Sequence, residues 1–74
     1  MVDAVWCKAE LIEGNLDYRI DYYGSTIQRS EFGKSSDFGW EIDHILPLSE
    51  GGSIDLDNLR PLHWKNFNTR GMEP

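Results

Sequence analysis

Apolar residues fall into short, separated groups along the chain, and each group carries its own period. From Val2 to Ile12 they stand at Val2, Val5, Trp6, Ala9, Leu11 and Ile12. That spacing is closer to a helical repeat than to alternation, with Asp3 as a plausible N-cap and Gly14 as a stop. The stretch YRIDYYGSTIQ, Tyr18 to Gln28, places β-formers on both sides of Tyr23-Gly24-Ser25 and predicts a hairpin turning at Gly24. RSEFGKSSDFG follows, rich in Gly, Ser and charge, and predicts an irregular exposed loop. Trp40 to Ile45 alternates, with Trp40, Ile42 and His44 on one side and Glu41, Asp43 and Ile45 on the other, a strand ended by Pro47. LSEGGSIDLDN is a turn-rich loop around Gly51-Gly52. Leu59 to Leu62 is extended, because a residue before proline is biased away from helix. His63 to Arg70 predicts two helical turns stopped by Gly71. Strand, loop, strand and helix in the second half make the whole chain α+β, in one small domain over residues 1–74.

Composition narrows what such a domain can be. At 74 residues a chain buries only about 60% of the surface its unfolded form exposes, so three Trp, three Tyr and three Phe must carry much of the core. Trp6, Trp40 and Trp64 are expected as core or rim aromatics, and Cys7 as a small core residue. A single cysteine excludes an internal disulfide scaffold and fits a reducing, cytoplasmic setting. No apolar run approaches the ~20 residues that span a bilayer, and MVDAVWCKAE lacks the basic-then-apolar order of a secretory signal. Thirteen acidic against seven basic residues give a net charge of −6, which argues against a general polyanion-coating protein. Glu10, Glu13, Asp17 and Asp21 are expected on a solvated face. From Asn58 to Gly71, however, Arg60, Lys65 and Arg70 occur with no acid, and Arg29 and Lys34 could extend that cationic stretch. Roughly three to five phosphate contacts of this kind give weak, salt-sensitive and largely sequence-independent binding.

The chemistry-bearing stretch is WEIDHILPLSEGGSIDLDNLRPLHWKNFNTRG, Trp40 to Gly71. Asp43-His44 joins a hard oxygen donor to an imidazole, the side chain best suited to moving protons near neutral pH. A carboxylate that holds a divalent ion and a histidine that takes a proton from water form a sufficient minimal set for phosphodiester hydrolysis. Neighbours on a strand point to opposite faces, so both reach one site only if the strand ends or twists there. Pro47 makes that plausible.

In Asp43, His44, Ile45, Leu46, Pro47, Gly51, Gly52, Asn58, Leu59 and Leu62 this stretch resembles the HNH endonuclease family. Upstream, Val5-Trp6, Arg19, Asp21, Gly24, Ile27, Gly33, Gly39 and Trp40-Glu41 resemble the small members that lack zinc-knuckle cysteines, a phage and mobile-element type. The resemblance implies a ββα-metal finger over about 40–71, with an N-terminal helix and hairpin added. It implies His44 as general base, Asp43 as metal ligand and Asn58 as the brace that holds the base in place. It further implies a divalent metal, Mg²⁺ first with Mn²⁺ or Zn²⁺ as alternatives, and DNA as substrate, with Arg60, Lys65, Arg70, Arg29 and Lys34 on its backbone. The family's third metal-binding position falls on Phe67, which cannot hold a hard cation. His63, Asn66 and Asn68 are then the alternative ligands. Positions 63 and 66 hold cysteines in knuckle-bearing relatives, so no structural zinc is expected with His63 and Asn66 there. The rival expectation is a lapsed HNH-like module that binds DNA, or a protein with a basic face.

Overall fold

The structure, a computed structural model, describes residues 1–69, so Arg70 and Gly71 of the expected closing helix lie outside the described residues. The alternation at Trp40 does produce a strand, β4 (Trp40–His44), and the Pro61-containing stretch pairs with it as β5 (Leu59–His63). The two are antiparallel, with Trp40 opposite His63, Asp43 opposite Arg60 and His44 opposite Leu59. Helix α2, Trp64–Thr69, follows β5 directly. His63 thus ends a strand and does not open the helix.

The predicted hairpin around Gly24 is present as β2 (Asn15–Ile20) and β3 (Thr26–Gln28), with Tyr18 opposite Gln28 and Ile20 opposite Thr26. Gly24 has φ +89°, a conformation that a side chain would strain. The N-terminal expectation is corrected. Helix α1 covers only Val2–Trp6, and residues Glu10–Ile12 form β1, which pairs antiparallel with β2. Gly14, at φ +78°, turns that extra hairpin instead of ending a helix. The order β1-β2-β3 makes one sheet and β4-β5 a second. Among the described residues no helix is long and apolar enough to cross a membrane.

The core lies between the sheets and α1. Val5, Ile27, Trp40 and Leu62 are completely buried there, with Trp6, Ala9 and Leu59 nearly so. Trp40 is its centre: its ring lies 5.3 Å from that of Trp6 and 4.8 Å from that of Phe32. Phe32 thereby ties the loop, irregular and exposed as expected, to the core. Gly39 belongs to the same loop, and a Cβ there would stand 1.8 Å from the Lys34 carbonyl oxygen. Arg29 holds α1 to the turn at Arg29–Glu31 by an ion pair with Asp3. Its hydrogen bond and charge keep the Asp3 carboxyl below its ordinary pKa. Cys7, expected inside, is exposed at the end of α1. It is the C-cap that follows Val5 and Trp6, the two residues α1 buries.

Candidate active site

β4 ends at His44, and the chain then bends away toward Pro47. This is why Asp43 and His44, which point to opposite faces within the strand, both line one cleft of about 450 Å³. His44 is half-buried at the cleft, while Asp43 is completely buried at its floor. The second face of β4 is therefore no solvent face: cross-strand Arg60 covers it, with Nε donating to Asp43 Oδ2 at 2.8 Å. The Arg60 guanidinium also lies 4.8 Å from the Tyr22 ring centroid and 5.6 Å from that of Tyr23. Burial alone would lower the Arg60 pKa, but the hydrogen bond and charge of Asp43 outweigh it and raise the pKa above its ordinary value.

Residues 45–58 return the chain from β4 to β5, and Asn58 closes this loop. Its Oδ1 accepts from the Leu46 N–H at 2.8 Å, and its Nδ2 donates to the carbonyls of Leu46 at 3.0 Å and Ser53 at 2.7 Å. The Ile45 N–H also donates to the Asn58 carbonyl at 2.8 Å, which extends the β4–β5 ladder beyond His44. Asn58 so fixes the backbone on which the histidine sits. Gly52 fits against this clamp: a Cβ there would stand 1.8 Å from the Leu46 carbonyl oxygen and 2.9 Å from Asn58 Nδ2. Gly52→Ala is expected to cost about 2–3 kcal/mol through that backbone collision, read as a lowered melting temperature. An unchanged melting point would refute the packing of this loop.

The remaining expected residues separate. Asn68, one position beyond Phe67 in α2, lines the cleft together with Glu50 and Tyr23. His63 and Asn66 do not. His63 is 7% exposed; its Nδ1 accepts from the Lys65 N–H at 3.2 Å, which leaves the proton on Nε2 to donate to the Asp37 carbonyl at 2.7 Å. Neither ring nitrogen remains for a metal. Asn66 donates through Nδ2 to Asp21 Oδ2 and to Ser25 Oγ, each at 2.9 Å. The cations expected on a phosphate backbone are largely engaged as well. Arg29 pairs with Asp3, Lys34 with Glu31 at 3.3 Å and Arg60 with Asp43, while exposed Lys65 lies 5.5 Å from the Trp64 ring centroid.

Sequence reasoning missed Glu50, Tyr23 and Asp21. Glu50 sits in a turn whose only signal was Gly-Gly, and nothing local points it at the cleft. Asp21 is 5% exposed, not solvated. Its Oδ1 accepts from the N–H groups of Tyr23 at 3.0 Å and Ser25 at 2.8 Å, and its Oδ2 from the His63 N–H at 2.9 Å. An aspartate two residues before an amide it can accept from is an Asx turn, so half of this role was readable.

As donors for a cation, Asp43 and Glu50 offer carboxylates and Asn68 an amide oxygen, hard ligands that suit a small divalent ion. No group of three or more His, Cys, Asp or Glu that could hold a metal occurs among the described residues. An ion held by these oxygens would complete its coordination shell with water.

A histidine at the end of a ββ hairpin, a buried aspartate beside it, a braced loop and a following helix make this a small α+β domain with a ββα site. The sequence model of the HNH endonuclease family matches residues 29–65, which span both strands and the loop between them. The chain belongs to the HNH endonuclease family, and its function is nuclease-like in kind. HNH domains generally bind a divalent metal. No curated protein and no solved structure matches the chain.

Proposed function

We propose that this protein is a divalent-metal-dependent endonuclease that hydrolyses phosphodiester bonds of DNA, with His44 as its general base. The observation that carries the reading is the placement of a half-exposed imidazole in the same cleft as Asp43, on a backbone locked by Asn58. His44 would accept the proton of the attacking water. Asp43, with Asn68 or Glu50, would hold the ion, and Arg60 would keep the Asp43 carboxylate oriented through its 2.8 Å contact. When bound, Mg²⁺, or Mn²⁺ or Zn²⁺ in its place, supplies charge stabilisation at the phosphate and the leaving oxygen. Lys65 and, beyond the described residues, Arg70 would meet the DNA backbone.

A second reading has its own support. Phe67 stands at the family's third ligand position, and Arg29, Lys34 and Arg60 are held in ion pairs. A lapsed module that binds DNA, or a basic protein surface, accords with both. Plasmid nicking together with Mn²⁺ calorimetry decides between them. The nuclease reading expects supercoiled DNA to be nicked with Mg²⁺ or Mn²⁺ and to survive in EDTA, and it expects a measurable heat of Mn²⁺ binding to the folded chain. No nicking with any of the three metals and no heat of Mn²⁺ binding would overturn it in favour of the lapsed module.

A further inference from the structure

Beside the His44 cleft lies a second one, of about 560 Å³, lined by Lys8, Tyr22, Ile45, Arg60 and Pro61 among others. Ile45 and Arg60 line both, so the two clefts adjoin at these residues. Tyr22 stands at its edge with 75% of its surface exposed, set edge-on to Tyr23 at 5.2 Å and 90°. The guanidinium contact at 4.8 Å orients the ring from one side. An aromatic ring held this open at a cleft offers a face on which an unpaired base can stack.

The chain's cations point the same way. Besides the three ion pairs, Lys8 Nζ donates to the carbonyls of Leu56 and Leu59, and Arg19 Nη1 to those of Cys7 and Ala9. Among the described residues, on a chain of net charge −6, this leaves Lys65 as the main cation for the phosphate contacts from which duplex binding draws its affinity. Stacking does not need them. Each base placed on an aromatic ring is worth roughly five- to a hundredfold in affinity, and every unpaired base has a face to offer.

We propose that the second cleft receives an unpaired nucleobase of the substrate strand, stacked on Tyr22, while the adjoining phosphate lies in the His44 cleft. Single-stranded, flapped or gapped DNA is then the preferred substrate class, over intact duplex. This rests on the His44 cleft being the nuclease centre. It is tested by fluorescence anisotropy of the full chain in EDTA, with labelled oligothymidine and a duplex of equal length as probes. The single strand is expected to bind tighter than the duplex. Tyr22→Ala should weaken single-strand binding about tenfold and leave duplex binding within about twofold. Tyr22→Leu, which keeps apolar bulk and guards against a folding defect, should lose as much, while Tyr22→Trp should restore it. Duplex bound as tightly as single strand, or both probes equally affected by Tyr22→Ala, would overturn the proposal. Because EDTA removes turnover, Tyr22-dependent binding without any nicking would sink the nuclease reading alone. Nicking with Tyr22-independent binding would sink only the stacking.

Discussion

His44→Ala is expected to lower DNA nicking by about 10³-fold and to leave the melting temperature nearly unchanged. The size follows from the proposed role: a positioned base contributes roughly two to four orders of magnitude, and no other imidazole can replace it. His63, the only other histidine in the chain, is held by the Asp37 carbonyl and the Lys65 amide. The mild effect on folding follows from the position. His44 is half-buried at a cleft edge, and its side chain makes none of the hydrogen bonds that close the loop, which belong to Asn58. Asp43 offers no such clean test. It is completely buried against Arg60, and breaking a buried pair from either side costs about 3–5 kcal/mol, so lost activity at Asp43 would be entangled with lost fold. Plasmid nicking beside a circular-dichroism melt checks the pair of expectations. Wild-type cleavage in folded His44→Ala would remove His44 from the mechanism.

The contrast between His44 and Asp43 also shows which parts of the site were legible. The β4 strand, the Gly24 hairpin and the Gly-Gly loop rest on local signals, an alternating period or a turn residue, and these survive folding unchanged. The segment after Trp6 misled because β1 has three residues, Glu10–Ile12, too few for alternation to show. With helical-looking apolar residues before it, Gly14 reads as a stop when it is a turn. Arg60 read as a phosphate contact because its partner is seventeen positions away, and only the β4–β5 register sets the two side by side. The same limit applies to Asn66 and His63, whose distant polar partners are Asp21 and Ser25 in the turn between β2 and β3 and the Asp37 carbonyl. Charge counted along a chain does not say which charges are already answered across a sheet.

Asp21 is where that limit has the largest consequence for stability. Its carboxylate accepts four hydrogen bonds, from the Tyr23 and Ser25 amides of its own turn and from the His63 amide and Asn66 side chain of the finger. It is the polar joint between the β2–β3 hairpin and the β5–α2 corner. Asp21→Ala strands those donors, one of them buried at His63, and is expected to cost about 4 kcal/mol. A domain of this size has about 5 kcal/mol in total, so the variant should be largely unfolded in mild urea. Asp21→Asn keeps one acceptor oxygen but turns an NH₂ group toward donors on one side, and should cost about 2 kcal/mol. Urea titration followed by tryptophan fluorescence measures both, since Trp6 and Trp40 lie in the core. A loss below about 1 kcal/mol for Asp21→Ala would mean that the hairpin does not dock on the finger through this carboxylate. The functional stake is direct, because this hairpin carries Tyr22 and Tyr23 to Arg60. A partly folded Asp21→Asn protein should therefore lose single-strand preference before it loses the His44 chemistry, whose support comes from the β4–β5 ladder and Asn58.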